Sequence, residues 1–185
     1  MVLDERRKAL EEQFFRDLDA KHVERMHQDS ANKEAKIALR DASGIADDSL
    51  LEGLIQLGIS VDTLSAISLV PLVEIAWADH NMDEDEKHAI VRAAEAKGIA
   101  IGTSAHELLT DWLVKRPDNA LFAAWKDYVG ELLEQLTDAQ RIVLYHQVIK
   151  RTRDVAQAAG GFLGVKTVSK TETDVLADLN AVFGK

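Results

Sequence analysis

The chain predicts an all-α fold, and three observations carry the prediction. Apolar residues recur at helical spacing through nearly every segment, helix-cap signatures precede several of those segments, and alternating runs of strand type are missing. Ile99 to Ile101 is too short to build a sheet. The loops between the periodic segments are short, which favours antiparallel neighbours in a compact bundle of about seven to nine helices.

Taken in order, Asp4 to Gln28 carries Leu10, Phe14, Phe15, Leu18, Val23 and Met26 among dense charges, one apolar stripe on a long helix. A weaker helix is predicted from Asn32 to Ala42, stopping near Gly44. Ser49 to Leu57 is a short apolar helix with Asp47 and Asp48 as candidate caps and Gly58 as its stop. Asp62 or Thr63 opens the next apolar run, through Leu64, Ile67, Val70, Val73, Ile75 and Trp77. Pro71 inside it lacks a backbone donor and predicts a kink or two abutting helices. Asp83 and Glu86 stand at N-cap and N3 spacing before a helix that closes at Gly98. Ser104 and Glu107 repeat the signature before Leu109, Trp112 and Leu113, and Pro117 ends that run. Leu121, Trp125, Tyr128, Leu132 and Leu136 mark one face of the following helix. Thr137 and Gln140 box the start of another, bearing Ile142, Tyr145, Val148, Ile149 and Val155 and stopped by Gly160-Gly161. Ser169 and Glu172 cap the last, with Val175, Leu176, Leu179, Val182 and Phe183. This divides the chain into an N-terminal helical extension, residues 1–61, and a bundle, residues 62–185, packed together as one unit.

Composition sets outer bounds on function. The chain has 185 residues, 46% hydrophobic and 29% charged, in the range of an ordinary globular protein. With Cys 0, disulfide frameworks, thiolate metal sites and cysteine nucleophiles are excluded. No run of about 18 uncharged apolar residues occurs, so membrane insertion is not expected, and the start does not resemble a signal peptide. The location read from this is cytoplasmic. The formal charge of −10 disfavours sequence-independent binding to nucleic acid. Lys150, Arg151 and Arg153 form a small basic cluster, read as a solvated helix face. No Gly-rich phosphate loop, Gly-x-Ser-x-Gly elbow or His-Glu-x-x-His motif occurs, and the reading is of a protein that is not an enzyme.

The acid excess is concentrated. In Asp79-His80-Asn81-Met82-Asp83-Glu84-Asp85-Glu86 five of eight positions are acidic. With the preceding Val73 to Ala78, this segment resembles the signature of TerB-like domains, named for a bacterial tellurite-resistance protein and found also in some membrane-associated co-chaperones. The signature is an apolar helix ending in Ala-Asp-Gly, then any residue, a hydrophobe, Asp or Ser, two spacers and Glu. Asp79, Met82, Asp83 and Glu86 match it, and His80 stands where Gly is usual. A later copy, Val168, Ser169 and Glu172, matches the hydrophobe, Ser and Glu, with Val165 in place of the Asp. The two copies align over Met82/Val168, Asp83/Ser169, Glu86/Glu172 and Ile90/Leu176, a pattern that duplication or convergent capping would both produce.

The resemblance implies a helical bundle over residues 62–183 whose acidic loops are implicated in divalent-metal binding and stress-linked interactions, without an established enzymatic activity. Asp79, Asp83 and Glu86 are then the candidate ligands of a calcium or magnesium ion, the one cofactor implied. Physical chemistry is compatible with this. Asp79 falls at a helix C-terminus, where its charge is unfavourable unless a cation compensates, and its neighbours offer further hard oxygens. The competing reading is that Asp83 and Glu86 are caps and Asp79 an Asx turn. The loop is not an EF-hand, because Glu84 replaces the sixth-position Gly and Ile90 the twelfth-position Glu. Asp85/His88 and Asp19/His22 have the spacing of di-iron ligand pairs, but in heavily charged surfaces that read better as solvated charge.

If the N-terminal stripe does not dock within the molecule, Phe14, Phe15 and Leu18 become a candidate surface for a protein partner or for self-association. Leu10 to Arg16 is faintly similar to mitochondrial ATPase-inhibitor helices, although an amphipathic docking helix accounts for it. The leading expectation is a non-catalytic, metal-responsive interaction module. A metal-free structural adaptor is the alternative, and a metal-dependent enzyme the third reading.

Overall fold

The computed structural model describes the backbone of residues 2–159 and 170–184 and the side chains of residues 21, 23–155 and 170–184. Among the described residues the fold is all-α, with eight helices and no strand. They are α1 (Val2–Ser43), α2 (Asp48–Gln56), α3 (Val70–Ala76), α4 (Glu84–Glu95), α5 (Ser104–Val114), α6 (Asn119–Gln135), α7 (Asp138–Ala159) and α8 (Lys170–Val182), with a 3-10 helix at Leu64–Leu69. No helix among the described residues is long and apolar enough to cross a membrane. The chain falls into two compact units, residues 1–38 and 39–185.

The first unit is the single helix α1 up to Ala38. The sequence predicts a break between Gln28 and Asn32, and the helix runs through it. The intervening Asp29, Ser30 and Ala31 include no Gly or Pro, and residues of that kind cost too little to stop a helix already nucleated on both sides.

The second unit takes in residues 39–61 together with the bundle, because that segment supplies core. Leu39, Ile45, Leu51, Leu54 and Ile59 are all buried. Gly44 and Gly58 make the two tight reversals there with φ of 73° and 82°, a region that costs other residues. α2 begins on Asp47, whose side chain accepts from the Leu50 N–H at 2.8 Å.

Pro71 marks a junction instead of a kink. The 3-10 helix ends at Leu69 and α3 begins at Val70, which puts Pro71 in the first turn, where its missing N–H has no partner to lose. α3 is the centre of the unit. Six of its seven residues are buried, and it packs against α6, α7, α8 and the 3-10 helix. α4 crosses α7, and α2 lies on α6. The Trp77 indole N–H at the end of α3 donates to the Trp112 carbonyl of α5 at 2.8 Å, tying those two helices.

One expected cap is displaced by a residue. α5 is capped by Thr103, whose hydroxyl accepts from the His106 N–H at 3.3 Å, and not by Ser104 with Glu107. Both registers offer a hydroxyl, and Thr103 sits at the extended backbone (φ −86°, ψ 152°) that an N-cap needs. The Thr137 and Gln140 box forms as the spacing predicts, with the Thr137 N–H donating to Gln140 Oε1 at 2.9 Å. Gly160, Gly161, Val165, Val168 and Ser169 lie outside the described residues.

Candidate functional site: an acidic corner between two helices

Residues 77–83 turn the chain from α3 into α4, and each acid singled out in the sequence has a definite local task there. Asp79 Oδ1 accepts from the Asn81 N–H at 2.9 Å, an Asx turn that closes the corner. Asp83 Oδ1 accepts from the Glu86 N–H at 2.9 Å, and Glu86 Oε2 accepts from the Asp83 N–H at 3.0 Å. Together these form a complete capping box at the start of α4. Met82 is buried beneath the turn.

His80 has φ of 68°, the left-handed conformation that the usual Gly of the signature would adopt without strain. Its ring Nδ1 meets the Arg116 guanidinium at 2.5 Å, and Arg116 also approaches Glu74 Oε1 at 3.7 Å. The imidazole therefore accepts at Nδ1, since guanidinium has only donors. The strained residue is held by a contact from the chain just beyond α5.

Glu86 is the unusual member. It is 4% exposed, although its carboxyl is charged in an ordinary environment. Burial pushes its carboxyl up to about 7, against the Asp83 N–H bond that lowers it, and the charges of Asp83, Asp79 and Glu172 push the same way as burial. Glu172 belongs to the second copy of the motif, on α8, so the aligned glutamates of the two copies lie within electrostatic reach of each other.

The corner thus brings Asp79, Asp83 and Glu86 into one electrostatic neighbourhood but not into a cage. Among the described residues, no three His, Asp or Glu side chains come together in a way that could hold a metal ion. Each of the three carboxylates has an oxygen engaged by a backbone N–H. As arranged, the donor set does not fit a bound ion, which needs six or more converging oxygens for calcium. Asp85 and His88 are exposed on α4. The side chains of Asp19, His22, Phe14, Phe15 and Leu18 lie outside the described residues. On the described part of α1, Val23, Met26 and Ile37 are exposed, at spacings that continue the stripe.

A second feature has no counterpart in the sequence reading. A cavity of about 570 Å³ opens between the 3-10 helix, α6 and α7. Leu64, Leu72, Trp125, Leu132, Leu144 and Val148 make its apolar walls, and Lys97 and Arg151 are the two cations that line it. Arg151 is half-buried, whereas its neighbours Lys150 and Arg153 are exposed, so the basic cluster divides between wall and solvent. Arg151 shares a helix face with Leu144 and Val148 at the seven- and three-residue spacings, and that periodicity is the one signal by which sequence could have separated it.

Comparison with known proteins adds no neighbour: no family model, curated protein or solved structure matches this chain.

Proposed function

We propose that the chain is a non-catalytic helical interaction module whose acidic corner, Asp79 to Glu86, is its responsive element, the divalent cation implied by the TerB-like resemblance being the effector. One observation carries this reading. Three acids, Asp79 and Asp83 of the corner and Glu172 of α8, bear on a single buried carboxyl, that of Glu86, at the junction between α3 and α4. A corner under that electrostatic load changes its preferred geometry when a cation or a proton neutralises it.

The capped arrangement holds the carboxylates apart, so cation binding requires the Asx turn or the capping box to open and the oxygens to converge. Binding and rearrangement are then one event, which alters the angle at which α3 and α4 present their surfaces. A cytoplasmic location belongs to the same proposal, and fractionation of cells producing the tagged chain tests it.

The test is a calcium titration of chelator-treated protein, followed by tryptophan emission and by calorimetry, with magnesium run in parallel. Trp77 lies two residues before Asp79 and reports on the corner. A saturable change that Asp79→Asn weakens supports the reading. Unchanged affinity in Asp79→Asn, or no heat with either ion, refutes the cation.

Exposed Val23, Met26 and Ile37 favour a second reading, an adaptor without metal that engages a protein partner or another copy through α1. Here Val23→Asp with Met26→Asp lowers the mass measured by light scattering or abolishes partner capture, while helicity is retained. Unchanged mass and unchanged partners count against it.

A further inference from the structure

The cavity between the 3-10 helix, α6 and α7 combines two properties that apolar packing defects lack. It is large, about 570 Å³, within the range of pockets that enclose a small molecule. It also carries positive charge without compensation: among the described residues neither Lys97 nor Arg151 has a hydrogen bond or ion pair with a protein group. In a chain of formal charge −10, with 32 acids against 22 lysines and arginines, two neighbouring cations that meet no carboxylate are a specific arrangement.

The two cations also act on each other. Lys97 follows α4 at the turn closed by Gly98, whose φ is 80°. Lys97 is exposed as a residue, yet partial loss of solvent around its ammonium, and then the charge of Arg151, lower its proton affinity. The charge of an anion placed between them offsets both effects. Tyr128, half-buried on α6 in the same wall, adds a hydroxyl for which no bond to another described residue occurs. The walls beyond are aliphatic, with Trp125 only 2% exposed and stacked on Phe122 at a centroid distance of 5.6 Å.

From this juxtaposition we infer that the cavity is a binding site for a single-chain carboxylate amphiphile, a fatty acid or similar acyl acid, with its chain along Leu64, Leu132, Leu144 and Val148 and its carboxylate between Lys97 and Arg151. A guanidinium offers a fork matched to a carboxylate and an ammonium adds a point charge, so head and tail are both recognised. The volume suits one acyl chain, not a two-chain lipid. The site lies within residues 61–152 and is independent of the cation proposal.

Dodecanoate, titrated into the full chain below its micelle concentration and followed by Trp125 emission and calorimetry, tests the assignment. Trp125→Phe identifies the signal against Trp77 and Trp112. The expected result is saturation at one equivalent. Lys97→Gln and Arg151→Gln each weaken it about tenfold or more, the worth of one charged hydrogen bond. Dodecanol and dodecyltrimethylammonium bind correspondingly more weakly, and Val148→Trp abolishes binding by filling the cavity. Should Val148→Trp fail to fold, the two charge variants decide, since both positions keep access to solvent. Four results overturn the inference: no saturable binding, equal affinity in the Lys97→Gln, Arg151→Gln double variant, equal affinity for the cationic surfactant, or acetate binding as tightly as dodecanoate.

Discussion

Glu86 supplies the sharpest test of the corner. Its carboxyl is displaced from an ordinary 4.5 to about 7 in the folded chain. Between those values the native state holds a proton that the unfolded state has released, so stability falls as pH rises from 4.5 towards 7 and the loss is complete above it. At about 1.4 kcal/mol per pH unit the displacement amounts to about 3 kcal/mol. With 4% exposure, solvent screening removes little of that, but relaxation of the corner removes more, and about 2 kcal/mol is the working figure. Glu86→Gln imitates the protonated acid and keeps an oxygen that can accept from the Asp83 N–H. Urea denaturation at pH 5 and pH 8 should therefore find variant and wild type nearly equal at pH 5, and the variant about 2 kcal/mol more stable at pH 8. Taking the difference between the two proteins cancels the titration of the other carboxylates. Glu84→Gln, at an exposed position whose carboxyl is lowered by its bond to Lys87, should not reproduce the trend. A Glu86→Gln effect that is the same at both pH values, or destabilisation at pH 8, would refute the account of a buried carboxyl under acidic load.

Three further outcomes follow from particular contacts. Asp83→Ala removes the acceptor of the Glu86 N–H and should cost about 1 kcal/mol of stability at pH 5, measured by the same urea titration. His80→Gly and His80→Ala both lose the Arg116 contact, but only Gly relieves the positive φ, so the Gly variant should be more stable than the Ala variant by about 1 kcal/mol; equal thermal midpoints would argue against strain at this residue. Leu39→Ala empties a fully buried site and should cost about 3 kcal/mol, whereas Ile37→Ala, two residues earlier and 47% exposed, should change stability by less than about 0.5 kcal/mol.

Much of the fold was legible because local signals dominate in helices. The Thr137 and Asp83 boxes, the Asp47 cap and the stops at Gly44, Gly58 and Gly98 each depend on residues within a few positions of one another. The break expected at residues 29–31 came from a lapse in apolar periodicity, yet a helix needs no apolar stripe to persist once both sides are helical. Residues 39–61 read as part of an N-terminal extension, yet Leu39, Ile45, Leu51, Leu54 and Ile59 are buried in the second unit, a placing that depends on tertiary packing and not on spacing along the chain. At the site, the sequence placed Asp79, Asp83 and Glu86 in one corner through turn and cap chemistry, and the resemblance noted His80 where Gly is usual, but only the structure shows its left-handed backbone. The sequence could not show that Glu86 is buried, because that depends on what packs over the corner from other helices.

The cavity and the corner differ in the kind of information that would reveal them. A corner is encoded by spacing within a dozen residues, so a motif can point to it. The cavity is formed by the 3-10 helix, the turn after α4, α6 and α7, and no segment alone contains both its walls and its charge. Lys97 stands where a helix C-terminus welcomes any cation, and Arg151 stands in a run of three basic residues, so each has an ordinary explanation in isolation. Only their convergence on one apolar space makes them informative. The same reasoning bears on the internal repeat. Capping alone explains why Glu86 and Glu172 each follow a cap position by three residues, but it does not require the two glutamates to come within reach of each other. That they do is what duplication of a helix–corner–helix unit, packed back on its copy, would leave behind. If so, Glu172→Gln should lower the pH at which Glu86 titrates without disturbing the capping box at Asp83, a shift visible as a smaller fall in stability that ends at a lower pH. An unchanged pH profile in Glu172→Gln would leave the pairing of the two copies without energetic content and return the repeat to convergence through capping.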